Sequence, residues 1–327
     1  MTALEINHVG LLATVQDLGR KGFLGQGITV GGAVDNFALR CANGLLGNSL
    51  RSAGLEVVLA GIKFQAAQDL LIAVTGATAP ILIDGETQAM NRPLRVCSGS
   101  KFELGPSSAG SYTYIAIAGG IDTPPVLGSR STVTREGLGG LEGRALQRGD
   151  RLTSGSPINP NTLAPPVRRD PTRPRSDGTE NAVMPLTLRF IPGFHHDEVG
   201  DECRARLCSD TFAITGSANR MAAPLDGPPL NTGLTQLWSE ATALGSIQVP
   251  PSGQPIVLLN DRQTMGGYPQ MGAVIPSDCV RLAQARPGCK VSFQRITVEE
   301  ADQISWLTTH YEEARLSAIT TLWRQPL

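Results

Sequence analysis

Apolar residues along this chain recur mostly in short, strand-sized runs bounded by glycine, proline and polar clusters, a pattern that predicts strands more often than helices. The runs Leu70 to Val74, Ile81 to Ile83 and Tyr112 to Ala118 predict strands in the first half. Leu186 to Ile191, Ser246 to Val249, Ile256 to Leu259 and Lys290 to Arg295 do so in the second. Two segments have helical spacing instead. Between Val34 and Leu46, the residues Val34, Ala38, Cys41, Ala42, Leu45 and Leu46 share one face, with Asp35 near the start. Near the end of the chain Thr297 with Glu299 and Glu300 reads as a capping-box start, and Ile304, Leu307 and Tyr311 then recur at helical spacing.

The alternation of strands and turns is interrupted once. From Ser154 to Pro185 there are seven prolines and four arginines with almost no apolar periodicity, which predicts a linker or surface excursion over 154–185. Two β-rich domains are expected on either side, over 1–153 and over 186–327, the second closed by the helix. The halves also resemble each other. Adding 184 to Gly32, Ala38, Leu46, Leu50, Glu56 and Gly61 gives Gly216, Ala222, Leu230, Leu234, Glu240 and Gly245 without a gap. Six identities in thirty positions suit a tandem duplication of one β-rich unit, and are also within reach of chance.

Composition narrows the function classes. The chain has 327 residues, 41% hydrophobic and 17% charged, with a formal net charge of -1, which is globular and advertises no nucleic acid or anionic surface as partner. Its 37 glycines and 23 prolines against 5% aromatics imply many tight turns with functional loops. No apolar run reaches the roughly 20 residues that span a bilayer and no secretory core opens the chain, so a cytoplasmic location is expected. The six cysteines are scattered without a CxxC pair, which predicts reduced thiols and no zinc ribbon.

Familiar catalytic motifs are missing. There is no GxxxxGK[ST], GxSxG or HExxH, and Gly137-Leu138-Gly139-Gly140 lacks the strand and acidic residue of a dinucleotide site, so it reads as a flexible loop. His195-His196-Asp197-Glu198, with Asp201 and Glu202, is the densest set of potential metal ligands, but it follows Pro192-Gly193 and reads first as a solvated turn, so no metal is assigned. The stretch from Trp238 to Tyr268 is more informative. A strand that ends in Asn260-Asp261-Arg262-Gln263-Thr264 and runs into Gly266-Gly267 puts polar side chains and backbone N–H groups at one rim, where a small amide or carboxylate can bind. The competing reading has Asp261 and Arg262 paired structurally and the glycines merely turning the chain. In the first half, Asp17 and Arg20 lie three apart beside glycines, a spacing that suits a local ion pair.

Several of these segments carry a family likeness. Val15-Gln16-Asp17-Leu18-Gly19-Arg20, Gly31-Gly32-Ala33-Val34-Asp35, Leu127-Gly128-Ser129-Arg130-Ser131-Thr132, Gly245-Ser246-Ile247-Gln248-Val249-Pro250 and Asp261-Arg262-Gln263-Thr264-Met265-Gly266-Gly267-Tyr268-Pro269 resemble the KipA family, also called allophanate hydrolase subunit 2-like or biotin-dependent carboxyltransferase-like. The resemblance implies a mainly β fold of two tandem cyclophilin-like β-barrel domains. It also implies the role of the C subunit in an ATP-dependent 5-oxoprolinase, whose KipI-like B subunit, with a separate A subunit, would be its partners. Related sequences carry out carboxyl transfer in urea carboxylase, and others antagonise a histidine-kinase inhibitor as binding modules. Where family members have Ser-Asp-Arg-Met-Gly, this chain has Ser217-Ala218-Asn219-Arg220-Met221-Ala222, which raises the question of altered specificity.

On that resemblance the chain binds the lactam of 5-oxoproline and polarises its carbonyl, while ATP binds elsewhere in the complex. Glu240, Asp261 and Arg262 are the expected catalytic residues, Glu240 or Asp261 as proton carrier and Arg262 as the charge. Ser217, Asn219, Arg220, Gln248, Gln263, Thr264, Gly266, Gly267 and Tyr268 are the expected substrate-binding residues. The alternative chemistry uses carboxybiotin; Ala89-Met90-Asn91 is the nearest fragment to a biotin-attachment site and lacks the lysine, so biotin would arrive on another carrier. The loops around Asp17, Arg20 and Asp35 are expected to be structural or interfacial.

Overall fold

The structure is a computed structural model describing residues 2–156, 184–234 and 237–321. Of the proline-rich stretch expected over 154–185, residues 157–183 lie outside the described residues. The chain divides into two units. Residues 2–20, 31–156 and 311–321 cluster into one, and residues 21–30, 184–234 and 237–310 into the other. This grouping departs from sequential blocks in two places, since a ten-residue segment of the first half joins the second unit and the end of the last helix joins the first.

The first unit contains β1 (Thr2–Val9), β2 (Leu12–Gln16), α1 (Asn36–Leu45), β3 (Gly54–Val58), β4 (Ile62–Ala66), β5 (Leu70–Thr78), β6 (Ile81–Ile83), β7 (Glu86–Gln88), β8 (Pro93–Val96), β9 (Lys101–Leu104), β10 (Ala109–Ile117) and β11 (Arg151–Thr153). They form a six-stranded sheet, β11-β1-β4-β9-β6-β7, and a five-stranded sheet, β2-β3-β10-β5-β8. In β4 the strand period is explicit: Ile62, Phe64 and Ala66 are buried while Lys63 and Gln65 are exposed. Inward side chains of both sheets meet in one core, with Leu4, Phe64 and Phe102 from the first and Val15, Leu55, Ile72 and Ile115 from the second. β10 is buried on both faces because α1 covers its outer side, where Cys41, Ala42 and Leu45 pack with Ala73 and Ala116. The Asp35 carboxylate accepts from Ala38 N at 2.9 Å and so caps α1 where the sequence placed its start.

The second unit contains β12 (Leu186–Pro192), α2 (Asp201–Ser209), β13 (Phe212–Ile214), β14 (Ala222–Asp226), β15 (Glu240–Ala241), β16 (Ser246–Gln248), β17 (Ile256–Leu258), β18 (Met265–Gly266), β19 (Gln270–Val274), α3 (Pro276–Gln284), β20 (Lys290–Arg295) and most of α4 (Val298–Thr321). Seven of these strands close a barrel in the order β12-β19-β16-β17-β14-β13-β20, and β15 and β18 make a separate ribbon. Phe293 meets Phe190 and Phe212 edge-on at centroid distances of 6.1 and 5.9 Å within it.

Two expectations change against this architecture. Of the two barrels implied by resemblance, hydrogen bonding closes only the second among the described residues; the first is a pair of facing sheets that end at β11, β7, β2 and β8. The offset of 184 sets helix α1 against strand β14, so that register does not equate like elements.

The closing helix starts as its capping box predicts. Thr297 N donates to Glu300 Oε2 at 2.8 Å, and Glu300 N donates to Thr297 Oγ1 at 3.1 Å. Its buried face is different, however. Ala301 and Ile304 pack with Ile275 and Ile296, and Leu316 and Ile319 pack beside α1, while Leu307 and Tyr311, in the span between, are 60% and 57% exposed. All six cysteines are free, and burial pushes the thiols of Cys41 and Cys279 up to about 12. Among the described residues no helix is long and apolar enough to cross a membrane.

Candidate active site in the second unit

β16 and β19 are neighbours in the barrel, with Gln248 opposite Gln270, so both glutamine side chains leave the same face of the sheet. Ser246, two residues before Gln248, shares that face. Its Oγ donates to Gln270 Oε1 at 3.1 Å, and Gln270 Nε2 donates to Ala241 O at 3.2 Å. That second bond ties the barrel to the β15–β18 ribbon. Thr242 fixes the ribbon's far end, its N donating to Thr264 O at 3.0 Å and its Oγ1 to Gln263 O.

Across the ribbon Glu240 pairs with Gly266. A Cβ on Gly266 would come within 2.5 Å of Gln248 Nε2, so glycine is what lets the ribbon approach this amide. Gln248 Oε1 accepts from Gln263 Nε2 at 3.3 Å, but Gln248 Nε2 is buried with no hydrogen-bond partner, and so is Glu240 Oε2. His195 borders the same carboxylate. Its backbone N donates to Gln270 O at 3.3 Å, its Nδ1 accepts from Gln270 N at 3.1 Å, and its Nε2 is 3.9 Å from Glu240 Oε2.

Buried polar atoms are satisfied in the great majority of native proteins, because an unmade hydrogen bond costs about 1–3 kcal/mol. An amide donor and a carboxylate acceptor thus stand open beside one glycine, a pair able to meet a ligand that both accepts and donates. Arg262 is a third such group. It is 6% exposed, forms no ion pair among the described residues and leaves Nε without a partner. Burial pushes its guanidinium below the ordinary arginine range, opposed by the Cys279 thiol. Its backbone O accepts from Thr29 Oγ1 at 2.9 Å.

The other expected residues divide. Arg220 and Asp261 form a buried bidentate pair, with Nε to Oδ2 and Nη2 to Oδ1 both at 2.8 Å. Asp261 thus pairs with Arg220 and not with Arg262, and with both oxygens engaged it is a poor proton carrier; Glu240 is the one with an open oxygen. Ser217 and Asn219 are exposed and serve their own turn. Ser217 Oγ bonds Thr215 Oγ1 at 2.8 Å, and Asn219 Oδ1 accepts from Met221 N at 2.7 Å and Ala222 N at 3.3 Å while Nδ2 donates to Ser217 O at 3.1 Å. Thr264 contributes its backbone to the ribbon. Gly267 lies beside Ser239, and Tyr268, 45% exposed, joins Trp238 at 89% and Met265 at 57% as exposed apolar residues around the ribbon.

The His195-His196 turn is not solvated as expected. The two residues are 5% and 3% exposed, because Gln270 N holds one ring while the other packs near Phe190, at 6.4 Å between centroids, and bonds Asp197 through Nδ1 at 2.9 Å. Among the described residues no three potential ligands converge on a metal position. The sequence read His195 as part of a solvated turn and did not place Gln270 or Ser246 among the site residues. Sheet register, which no local motif displays, brings these three to Glu240 and Gln248.

In the first unit's polar loops the carboxylates are satisfied, although Gln16 Oε1, Thr123 Oγ1 and Arg130 Nε are buried without a hydrogen-bond partner among the described residues. Asp17 accepts from Gly19 N, Ser129 Oγ, Arg130 N and Ser131 Oγ, and Arg20 Nη2 donates to Ser131 O, so Asp17 and Arg20 meet through Ser131 in place of the expected direct ion pair. Glu56 accepts from Val34 N at 2.9 Å and from the Tyr114 hydroxyl at 2.8 Å. Burial, with Glu56 and Asp35 adding to it, holds Tyr114 well above the usual phenol range. Gly137 to Gly140 is no flexible loop either: Val133 bridges Leu138, and a Cβ on Gly139 would lie 2.1 Å from Ser131 O.

Comparison with known proteins sets this geometry in a class. Residues 26–295 match the family described as carboxyltransferase domain, subdomain A and B, and the chain belongs to that family. It is 36% identical to the 5-oxoprolinase C subunit of Escherichia coli (strain K12) over 299 residues, covering 91% of this chain and 93% of that protein. It is 33% identical over 306 residues to the 5-oxoprolinase C subunit of Haemophilus influenzae, covering 92% and 94%. Among solved structures it resembles the K. lactis urea amidolyase with a TM-score of 0.82 at 25% identity, over 98% of this chain and 20% of that one. The chain thus spans about a fifth of the length of that urea amidolyase. It is homologous to one component of a multi-subunit enzyme and to part of a larger amide-processing enzyme.

Proposed function

We propose that this chain is the substrate-binding subunit of an ATP-dependent 5-oxoprolinase, in which water opens the lactam of 5-oxoproline to L-glutamate. The observation that carries this reading is the pair of open buried atoms, Gln248 Nε2, which Gly266 approaches closely, and Glu240 Oε2, on the residue paired with Gly266. A lactam presents one carbonyl acceptor and one N–H donor. Gln248 Nε2, with backbone N–H groups of the Gly266-Gly267 segment, donates to the carbonyl oxygen and stabilises the charge that grows there as water adds to the carbon. Glu240 takes the proton from that water and returns it to the ring nitrogen as the C–N bond breaks. Arg262, with no ion pair among the described residues, supplies the field for the oxyanion or for the substrate carboxylate.

The described residues hold no glycine-rich phosphate loop of the GxxxxGK[ST] kind. The glycine cluster at 137–140 is packed against Ser131 and Thr132 with no room for a phosphate. The nucleotide site is accordingly assigned to a partner, either a KipI-like B subunit or the separate A subunit, working in the cytoplasm. In this reading the two units are paired β-barrel-like domains of cyclophilin type on either side of the 154–185 linker, the first opened into facing sheets.

A second reading, carboxyl transfer to urea or a similar amide, draws support from the family's description and the urea amidolyase likeness. It uses the same open amide and carboxylate, with biotin brought by a separate carrier. The assembled complex, assayed with ATP for glutamate from 5-oxoproline and with carboxybiotin for carboxylated amide, separates the two. Gln248→Ala and Arg262→Ala are each expected to lower turnover of the correct substrate about a hundredfold. Near-normal turnover in both variants would remove the site from this ribbon.

A further inference from the structure

We propose that His195 is the positioning residue for Glu240, holding the carboxylate through an Nε2–H hydrogen bond to one lone pair of Oε2 while the second lone pair of that oxygen handles the proton. The proposal rests on the reading of Glu240 as the proton carrier and adds a residue that reading did not need.

The imidazole is clamped on its far side. Gln270 donates its backbone N–H to Nδ1 at 3.1 Å, and the His195 N–H is given back to Gln270 O at 3.3 Å, so the ring is fixed to the edge of β19 by two bonds to one residue. A ring nitrogen that accepts a backbone N–H carries no proton, which places the ring hydrogen of neutral His195 on Nε2. Nε2 makes no hydrogen bond among the described residues, and the group in front of it is Glu240 Oε2, the buried oxygen that also has no partner. A fixed donor and an orphaned acceptor face each other across 3.9 Å. That is longer than a hydrogen bond, and catalytic contacts of this kind tighten when substrate closes the site. Glu240 sits on the two-residue strand β15, outside the closed barrel.

The neighbouring histidine offers no equivalent. His196 Nδ1 is bonded to Asp197, and Asp197 is solvent-exposed, so that pair faces away from the ribbon's chemistry. No proton passes through His195 in this scheme. It acts on Glu240 alone, because a proton on Nδ1 would displace the Gln270 N–H.

Two substitutions dissect the clamp from the donor. His195→Asn keeps an acceptor at the position of Nδ1 for the Gln270 N–H but does not reach Glu240; His195→Gln reaches Glu240 with an amide N–H. In the assembled enzyme, His195→Asn is expected to lower kcat about ten- to a hundredfold, with KM changed less than about threefold and the melting temperature close to that of the parent. His195→Gln is expected to recover most of that loss. A 15N spectrum of the histidine-labelled chain is expected to show Nε2 protonated and Nδ1 bare, with the Nε2 resonance shifted in Glu240→Gln. Turnover in His195→Asn within about twofold of the parent, or equal losses in both variants with a lowered melting temperature, would overturn the proposal. Glu240→Gln separates the two levels. If it leaves turnover intact the site itself is misplaced, whereas if it abolishes turnover while His195→Asn does not, only the role of His195 falls.

Discussion

The loop network around Asp17 and the cluster around Gly266 are built from similar materials, glycines with short polar side chains and a buried arginine nearby, yet their carboxylates end in opposite states. Asp17 collects four donors from Gly19, Ser129, Arg130 and Ser131, and Glu56 collects two. Around Gly266, by contrast, Gln248 Nε2 and Glu240 Oε2 are buried without a hydrogen-bond partner among the described residues, while a buried unpartnered guanidinium Nε occurs in both regions, on Arg130 and on Arg262. Family motifs mark both regions alike. What separates them is the carboxylate: Asp17 spends both of its oxygens on the fold, whereas Glu240 keeps a buried oxygen without a hydrogen bond among the described residues.

The largest test of this contrast lies inside the second unit, where a closed pair adjoins the open residues in sequence. Asp261→Ala strands the buried Arg220 guanidinium without its bidentate partner, and removing one side of a buried pair costs about 3–5 kcal/mol. Denaturant unfolding should show that loss as a lowered midpoint. A variant as stable as the parent would mean that Asp261 is held for chemistry after all.

Asp17→Ala is the matching test in the first unit. Loss of hydrogen bonds to a charged acceptor there should lower stability by about 2–3 kcal/mol, with turnover per folded molecule unchanged. A turnover defect at full stability would move the site to the first unit. Gln248→Leu should do the reverse. It removes a buried amide donor that has no partner, so stability is expected to rise by about 1 kcal/mol while turnover collapses, the trade that open polar groups in a site impose. A drop in stability would show that the amide serves the fold.

Much of the fold was legible because the signals were local. Strand-sized apolar runs, the Asp35 cap and the Thr297–Glu300 capping box each depend on residues within a few positions of one another, and each formed where it was read. The proposed site was legible only as far as one motif extends: the 260–268 segment was read in the sequence, whereas Gln270 and the role proposed for His195 were not. Their meeting depends on register between β16 and β19 and on a turn after β12, which are long-range facts. The same limit explains Asp261: its partner Arg220 lies 41 residues away, while its neighbour Arg262 looked equally eligible. The α4 face was misread for a related reason, since spacing shows which residues share a face but not which neighbour covers it.

Closed networks also carry a pH signature. Asp278, with no exposed side-chain surface, is opposed by burial, yet the hydrogen bonds from the Arg189 guanidinium and backbone, with Arg281, bring its pKa below the usual carboxylate value. A carboxyl whose folded pKa is depressed contributes stability in full above its unfolded pKa and loses it as pH falls through the folded one. Stability should therefore drop below about pH 4, the ordinary range of an aspartate. In Asp278→Asn that acid limb should be shallower, from a lower starting stability at neutral pH. An unchanged acid limb, followed by thermal melts between neutral and acid pH, would show the pair to be uncoupled from unfolding.

The smallest expected effect concerns the departure at Asn219, where family members carry aspartate. If the loop touched substrate, this exchange would alter specificity. The structure spends the side chain locally: Oδ1 accepts from Met221 N and Ala222 N, and Nδ2 donates to Ser217 O. An aspartate at the same place would keep both accepted bonds, strengthened by its charge, and lose only the donated one at an exposed turn. Those changes oppose each other, so Asn219→Asp should shift stability by less than about 0.5 kcal/mol, the usual range for surface positions. KM and kcat for 5-oxoproline in the assembled enzyme should each stay within about twofold. A change in KM of about tenfold with stability intact would place this turn at the substrate and break the boundary drawn here between closed and open polar loops.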